Sequence, residues 1–252
     1  QSGETADTLA AVKIAKNFGA KTIGIVNVTE SSIAREVNAV IYTEAGSEIA
    51  VATTKAYFAQ SLILAFLSIK NMYKKISVLE IQKIPMIIEK LINQTHKYED
   101  IAKVLYQNED IFFIGRQIDY ALCLEGSLKL KEISYIHSEA YAAGELKHGT
   151  ISLISENMPV FAIITDKTIA EKTISNIKEV KARGANVVLI IKEDLDFEGD
   201  CYDTKVIIPN SCVDFSSILA ILPLQLISYN IALLRDCSID KPKNLAKSVT
   251  VE

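Results

Sequence analysis

Two segments of the chain repeat one pattern: AVKIAKNFGAKTIGIVNV at residues 11–28 and SNIKEVKARGANVVLIIK at residues 175–192. In both, the basic end of an amphipathic stretch is followed by Gly-Ala and then by a short apolar run. Glycine commonly follows the last turn of a helix, and Gly19 and Gly184 occupy that position here. A short apolar run bounded by polar residues is typical of a buried strand. Each segment therefore predicts a helix that leads into a strand.

The repeat continues beyond these segments. Gly19 and Gly184 are 165 residues apart, and a similar separation relates AVIYTEA at residues 39–45 to KVIIPNS at residues 205–211. Each of these runs precedes a long apolar helix, through SLILAFLSI in the first copy and LAILPLQLISYNIALL in the second. Strands that alternate with helices are typical of α/β folds with parallel sheets. The order of predicted elements agrees in both copies.

The second copy begins earlier than the first. The strand DIFFIGR, from Asp110, and the helix YALCLEGSLKLKEISY precede it, and no counterpart of either lies in front of Gln1. By the spacing of the repeat, roughly 54 residues would precede Gln1 in a parent protein. We therefore expect an α/β chain of two doubly wound, parallel-sheet domains of similar fold, the first truncated at its N-terminus.

The expected domain boundaries follow from this repeat. The remainder of the first domain covers residues 1–75 and the second domain covers residues 109–240. Between them, residues 76–108 are expected to form a connecting helix with Pro85 near its first turn, where proline is tolerated. Residues 241–252 form a C-terminal tail.

Composition and charge exclude several classes of function. The net charge is -4 and basic residues are interleaved with acidic ones, so no nucleic-acid partner is indicated. The apolar run at residues 61–69 is far shorter than the ~20 residues that a membrane span needs. Four scattered cysteines without CxxC spacing indicate neither a zinc site nor a disulfide framework: Cys123, Cys201, Cys212 and Cys237. With no signal peptide at its start, the chain is expected to be cytoplasmic.

The stretch QSGETADT, residues 1–8, stands directly before the first amphipathic helix. Free backbone N–H groups, a glycine and the hydroxyls of Ser2 and Thr5 would suit a phosphate group. The same residues would also make an ordinary helix cap, and composition alone favours the cap. A second hydroxyl-rich turn, EAGSEIAVATTKAY from Glu44, follows a predicted parallel strand, at the edge where ligands bind. Two such turns favour a phosphosugar ligand.

A charged stripe lies on the helix that ends near Tyr135. Glu125, Lys129 and Glu132 are spaced i, i+4 and i+7 and so share one face, with apolar residues on both sides. The face is either solvated, with an ordinary ion pair, or part of a pocket wall or an interface. The following AYAAGELKHG, residues 140–149, predicts a loop that presents His148, a side chain suited to acid/base chemistry. Periodicity does not decide between a surface and a site.

These motifs together resemble a known family. QSGETADT, AVATTKAY, LEGSLKLKEISYIHSEAYAAGELKHG and the terminal KPKNLAKSVTVE are similar to the isomerase part of the glucosamine-6-phosphate synthases, the glutamine:fructose-6-phosphate amidotransferases. The SGETADT turn is shared by many sugar-isomerase (SIS) domains, whereas LKLKEISYIH followed by ELKHG is specific to this family. The resemblance covers the whole chain and implies two SIS domains.

The resemblance implies two sets of substrate-binding residues. The family's phosphate loop falls on Gln1, Ser2 and Thr5. Its second turn contributes through Val51 and Thr53, where the family often has serine, so the hydroxyl is retained.

The resemblance also implies the catalytic residues. Glu132 matches the base that moves a proton between C1 and C2, and Lys129 matches the lysine that assists it. His148 matches a histidine that acts in ring opening and is supplied by the neighbouring subunit of a homodimer. In the tail that closes over the active site, Ala246 matches a substrate contact and Lys247 matches a lysine that can form an imine with the ketose.

The implied reaction converts fructose 6-phosphate and ammonia to glucosamine 6-phosphate, the first step of hexosamine and UDP-GlcNAc synthesis. It requires no metal or organic cofactor. The family's ammonia comes from an N-terminal glutaminase domain, and nothing in this chain matches that domain. Two other classes remain open from sequence: an amino-sugar phosphate deaminase, and a non-enzymatic sugar-phosphate sensor.

Two short motifs depart from the family pattern. GRQ at residues 115–117 replaces a frequent GRG, and HGT at residues 148–150 replaces a frequent HGP. The second departure lies beside the implied ring-opening histidine, so we expect it to affect the pose of that loop. Neither departure touches Glu132 or Lys247.

Overall fold

The computed structural model of the protein describes residues 1–71, 78–211 and 215–247. The chain divides into two compact units. The N-terminal unit comprises Gln1–Lys74 and Asp240–Glu252, and the C-terminal unit comprises Lys75–Ile239. The predicted residue Cys212 lies outside the described residues, as do the last five residues of the predicted tail.

The N-terminal unit is built around two parallel strands. Their register places Ile23 opposite Ala39 and Val26 opposite Tyr42. The elements of this unit are α1 (Ala6–Asn17), β1 (Ile23–Val26), α2 (Ser32–Glu36), β2 (Ala39–Tyr42) and α3 (Lys55–Asn71).

The C-terminal unit contains a five-stranded parallel sheet. It begins with α4 (Val78–Ile92), α5 (Thr95–Leu105), β3 (Asp110–Gly115), α6 (Ile118–Ser134) and β4 (His137–Ala142). It continues with β5 (Pro159–Ile164), α7 (Ala170–Lys181), β6 (Asn186–Lys192), β7 (Thr204–Ile208), α8 (Ser216–Leu219) and α9 (Ile221–Leu234). Short 3₁₀ turns cover Leu146–His148, Thr150–Leu153 and Glu193–Leu195.

The strand order of this sheet is β4-β3-β5-β6-β7, with every neighbouring pair parallel. From β3 the chain first adds β4 on one side and then adds β5, β6 and β7 on the other side. The strand order therefore reverses between β3 and β5. Ligands of open α/β sheets bind beyond the carboxyl ends of strands at such a point. The predicted parallel α/β fold is therefore confirmed.

Apolar sequence explains why the central strands lie where they do. Every residue of β5 is buried, and so is every residue of β6 after Asn186. Strands covered by helices on both faces need such continuous apolar runs. Across the sheet, the rings of Phe113 and Phe161 stack with centroids 4.8 Å apart.

One strand escapes the sequence prediction. Six apolar runs in the sequence predict strands and form β1, β2, β3, β5, β6 and β7: TIGIVNV, AVIYT, DIFFIG, PVFAIIT, NVVLIIK and KVIIP. The sequence of β4, HSEAYA, is not among them. β4 is an edge strand, paired only with β3 among the described strands, and its register starts with Asp110 opposite His137. Polar side chains on an edge strand discourage pairing with another chain, and they also hide its apolar periodicity.

The predicted single connecting helix is wrong in two respects. The region forms two helices, α4 and α5, separated at residues 93–94, and Pro85 lies inside α4 rather than near its first turn. An interior proline removes one backbone hydrogen bond. Burial of apolar side chains on the same helix offsets that cost, at Ile84, Ile87 and Leu91.

The long apolar helix predicted for the second copy is divided at Ala220 into α8 and α9. Within the described part of the chain, the segment Ser216–Leu234 is the one long and apolar enough to cross a membrane. Half of it is buried inside the protein, however, and α9 packs against α5 and α6. We therefore interpret it as a core helix.

The departure GRQ places glutamine in a conformation that favours glycine. Gln117 has φ +50° and ψ -120°, and its side chain is exposed. A non-glycine residue in such a region costs about 1–3 kcal/mol. We expect Gln117→Gly to raise the free energy of unfolding by about 1 kcal/mol, measured by urea denaturation.

Gln107→Gly is the matched control for this prediction, because Gln107 is also exposed but has an ordinary negative φ. It should leave stability unchanged or lower it slightly, since glycine adds entropy to the unfolded chain. Equal effects of the two substitutions would show that the backbone at Gln117 is not strained.

Candidate functional site

The QSGET segment forms a loop that ends at α1. Thr5 is the residue before the helix, yet its side chain makes no capping hydrogen bond. The hydroxyl of Ser2 accepts a hydrogen bond from the backbone N–H of Glu4 at 3.3 Å. The ordinary cap favoured by composition is therefore not formed by Thr5.

This loop is fixed by the segment that follows β1. The N–H of Asn27 donates to the carbonyl of Gln1 at 3.0 Å, and the N–H of Ile33 donates to that of Gly3 at 2.9 Å. Gly3 has φ +70°, and a Cβ there would lie 2.1 Å from the Oγ of Ser31. Only glycine fits this close approach.

The carboxylate of Glu4 is turned towards α2. It accepts the backbone N–H of Ser32 at 2.8 Å, and hydrogen bonds from Ser32 hold the pKa of Glu4 below its ordinary value. The one acidic side chain of the QSGET segment is thus engaged by α2.

Asn27 joins the QSGET loop to the second hydroxyl-rich turn. Besides its bond to Gln1, its Nδ2 donates to the carbonyl of Gly46 at 2.7 Å. Its Oδ1 accepts the hydroxyl of Thr43 at 2.7 Å and the N–H of Ala45 at 3.1 Å. Sequence reasoning missed this residue, because an asparagine at the end of a strand is common in ordinary turns.

The second turn is closed by Glu48 and by Asp240, the residue directly before the C-terminal tail. The Glu48 carboxylate accepts the Thr54 hydroxyl at 3.2 Å and the Ala56 N–H at 2.9 Å, at the start of α3. The N–H of Val51 donates to the carbonyl of Asp240 at 3.0 Å. Thr53 is half-buried on the same turn.

The tail reaches this turn through its predicted lysine. The Nζ of Lys247 donates a hydrogen bond to the carbonyl of Ala50, and the preceding Ala246 is exposed. The N-terminal unit thus brings together the QSGET loop, the AVATTKA turn and the described part of the tail.

A buried charged cluster lies on α6 in the C-terminal unit. The Nζ of Lys129 is 2.5 Å from Glu132 and 3.6 Å from Glu125. Lys129 is only 4% exposed, so the solvated-face interpretation of this stripe is wrong. Burial raises the pKa of Glu125, whose side chain is 12% exposed compared with 21% for Glu132. Of the two carboxylates, Glu132 is therefore the more accessible.

The two histidines of the charged stretch are both exposed. His148 lies in a 3₁₀ turn, and His137, on β4, is 2.6 Å from the Asp110 carboxylate through Nδ1. Among the described residues, no hydrogen bond or ion pair joins His148 to the α6 cluster. The C-terminal unit therefore presents a buried charged cluster and a separate exposed histidine.

The second copy of the repeat has no open counterpart of the QSGET loop. There, the Asp119 carboxylate accepts the N–H of Thr165 at 2.9 Å and also its hydroxyl. The Asp166 carboxylate accepts the N–H of Thr168 at 2.8 Å and its hydroxyl at 2.7 Å. These carboxylates occupy donors that a phosphate would use, which favours the N-terminal unit as the phosphate site.

Asp119 makes the stability of the C-terminal unit depend on pH. Burial raises the pKa of its carboxyl to about 6, despite the hydrogen bonds from Thr165. A raised carboxyl pKa contributes stability that is fully present below about pH 4 and is lost as pH rises through about 6. The stability difference between wild type and Asp119→Asn should therefore fall by about 2–3 kcal/mol from pH 4 to pH 7. Urea unfolding at several pH values measures it; a pH-independent difference would contradict the prediction.

In the described part of the chain, no three His, Cys, Asp or Glu side chains are grouped to hold a metal ion. The polar groups of the N-terminal unit suit an anion such as a phosphate, because they are backbone amides and hydroxyls.

Comparison with known proteins identifies this arrangement. Residues 1–70 and 104–235 match the SIS domain family. The chain is 47% identical to a glutamine–fructose-6-phosphate aminotransferase (isomerizing) of Caldanaerobacter subterraneus and 46% identical to one of Methanosarcina mazei. Both alignments cover the whole chain, which spans 43% and 42% of the length of these curated relatives.

Solved structures agree with this match. The C-terminal domain of the glucosamine-fructose-6-phosphate aminotransferase from Francisella tularensis is 34% identical, with a TM-score of 0.86 over 96% of this chain and 72% of that chain. A glucosamine-6-phosphate deaminase from Thermotoga maritima is 27% identical, with a TM-score of 0.74 over 99% of this chain and 73% of that one. The chain therefore belongs to the SIS domain family and matches the C-terminal isomerase domain of the glutamine–fructose-6-phosphate aminotransferases.

Proposed function

We propose that the intact protein converts fructose 6-phosphate and ammonia to glucosamine 6-phosphate, and that this chain supplies the isomerase half. The relatives that match the whole chain at 46–47% identity carry the name of this activity. The observation that carries the proposal is the buried cluster of Glu125, Lys129 and Glu132 on α6. Burying three charges on a core helix is costly, which is typical of groups kept for chemistry.

The phosphate of the sugar is proposed to bind the N-terminal unit. Gln1, Ser2 and Thr5 would supply backbone and side-chain donors, with Val51 and Thr53 on the second turn. The uncapped N-terminus of α1 supports this assignment, because its free N–H groups and dipole favour an anion.

Glu132 is proposed as the base that moves a proton between C1 and C2. Its carboxylate is partly accessible and is bonded to Lys129, whose ammonium can stabilise negative charge that develops on the substrate. Glu125 would hold that ammonium from its other side. Its buried position and raised pKa suit a supporting role better than contact with the sugar.

Lys247 and His148 are proposed to act at the anomeric carbon and the ring oxygen. Lys247 would form an imine with the open-chain ketose while Ala246 and the tail cover the sugar. His148 would transfer a proton in ring opening, in the site of a second copy of the chain. Its exposure supports that homodimer assignment, because an exposed side chain can reach a partner.

The organisation of the parent protein is part of this proposal. We infer an N-terminal glutaminase domain that supplies ammonia, since the matched relatives are named for glutamine and are more than twice as long. A cytoplasmic location is supported by three free cysteines at described positions: Cys123, Cys201 and Cys237. We propose that the first SIS domain ends at residue 75 and that the second SIS domain covers residues 109–240. Residues 76–108 connect them, and the C-terminal tail begins at residue 241.

Product formation by the intact protein tests the proposed function. Incubated with fructose 6-phosphate and either glutamine or ammonium, it should form glucosamine 6-phosphate, detected by mass spectrometry. The likeness to the Thermotoga maritima deaminase favours one alternative, in which glucosamine 6-phosphate is deaminated and glutamine is not used. Binding of fructose 6-phosphate without turnover would instead indicate a sensor.

A further inference from the structure

The loop that carries His148 is attached to the end of β3. After β4 the chain turns, and the N–H of Ala143 donates to the carbonyl of Gly115 at 2.8 Å. The guanidinium of the next residue, Arg116, packs directly on Gly144, where an added Cβ would lie 2.7 Å from Nη2. The backbone at Gly144 and the guanidinium plane are therefore in close contact.

Arg116 is itself held from the other side. Its Nε and Nη2 donate to the Oδ1 of Asn176 at 3.1 and 2.9 Å. Asn176 lies on α7 and is only 4% exposed. Since two N–H groups share one fixed acceptor, the guanidinium has one preferred orientation. Arg116 thus forms a clamp between α7 and the backbone at Gly144.

The same loop is anchored in the core on both sides of Gly144. Ala143 and Leu146 are each 1% exposed and belong to the core between the sheet and α7. Glu145, Lys147 and His148 point outward from this anchored backbone and are exposed. The loop therefore presents His148 from a fixed base, and the N–H of His148 donates to the carbonyl of Glu145 at 3.0 Å.

We propose that Arg116 is a positioning residue for His148, acting through Gly144 and the loop backbone. This rests on the proposed role of His148 in ring opening. The guanidinium is committed to a neutral amide, and no described carboxylate forms an ion pair with it. Arg116 therefore acts by fixing the position of the loop backbone, so that the side chain of His148 can reach the ring oxygen of the sugar.

The test compares two substrates of the intact protein. Fructose 6-phosphate exists mainly as a ring, whereas 5-deoxyfructose 6-phosphate lacks the hydroxyl that closes the ring and stays open. Displacement of an acid/base group by about 1 Å can cost on the order of 10²-fold. Arg116→Ala should therefore lower kcat/KM for fructose 6-phosphate by about 10- to 100-fold and change that for the 5-deoxy analogue by less than about twofold.

Gly144→Ala is the second variant, because its methyl group would displace the guanidinium from Asn176 without removing it. It should show the same substrate selectivity, and the double variant should be no worse than Arg116→Ala. Arg183→Ala is the control, since Arg183 is exposed and, among the described residues, its guanidinium bonds only to the carbonyl of Glu179.

The outcomes separate the two proposals. If wild type turns over neither substrate, the proposed function fails. If wild type turns over both, but Arg116→Ala and Gly144→Ala affect both substrates equally or affect neither, the positioning role is wrong. Selective loss with the ring-forming substrate in both variants, absent in Arg183→Ala, supports it.

Discussion

Glu132→Gln is expected to lower the turnover of fructose 6-phosphate to glucose 6-phosphate by about 10²- to 10⁴-fold. The amide cannot accept the proton from C1, so only the general-base contribution is removed. Its oxygen can still accept a hydrogen bond from Lys129, 2.5 Å from Glu132 in the native protein. Binding of the sugar phosphate should therefore be nearly unchanged. The intact protein is assayed for isomerisation without ammonia, and binding is followed by calorimetry.

Glu171→Gln is the matched control for this prediction. Glu171 is an exposed carboxylate at the start of α7, so its loss should change turnover by less than about twofold. Unchanged isomerisation by Glu132→Gln would assign the base elsewhere. If the wild type binds fructose 6-phosphate but does not convert it, and Glu132→Gln binds it equally well, a sugar-phosphate sensor would be favoured.

The repeat explains why much of the fold is predictable from sequence. Gly19 and Gly184 both adopt positive φ after a helix, at +76° and +89°, and each precedes a strand of a parallel sheet. A glycine after a helix depends only on its sequence neighbours, so it can be recognised from the sequence alone. β4 was not predicted because it forms a strand only through its pairing with β3. The first residues of that pairing, Asp110 and His137, are 27 residues apart in the sequence.

The candidate site likewise has a part that the sequence predicts and a part that depends on tertiary packing. Motif resemblance identifies Glu132, Lys129 and Lys247 as candidates, whereas periodicity alone could not tell whether the charged face of α6 was solvated. Packing of α6 against α9, about a hundred residues later, contributes to the burial of this helix. Asn27 shows the remaining limit, because its four hydrogen bonds join segments that approach each other only in the fold.

The buried cluster on α6 also has an energetic consequence. An ion triad in a core is often no more stable than well-packed apolar residues of similar volume. Glu125, Lys129 and Glu132 therefore give the helix little net stability for their desolvation cost. We propose that their value is electrostatic, because a buried ammonium between two carboxylates needs no reorganisation when charge develops nearby.

Lys247→Arg is expected to abolish covalent capture of the substrate and to lower glucosamine 6-phosphate formation by about 10²-fold or more. Arginine keeps the positive charge that could hold the carbonyl of Ala50, but its guanidinium stays protonated and cannot form an imine. In wild type, the Nζ of Lys247 would condense with the C2 carbonyl of fructose 6-phosphate and release water. Borohydride then reduces the C=N bond to a stable secondary amine, which peptide mass spectrometry locates.

Lys243→Arg is the control within the same tail, since it makes the same change in an exposed lysine four residues earlier. It should retain the adduct on Lys247 and nearly full activity. An adduct that persists in Lys247→Arg, or full activity of that variant, would exclude the imine. Loss of the adduct with retained isomerisation would restrict Lys247 to the transfer of nitrogen, because isomerisation of the cyclic ketose already includes ring opening and the C1-to-C2 proton transfer is proposed for Glu132.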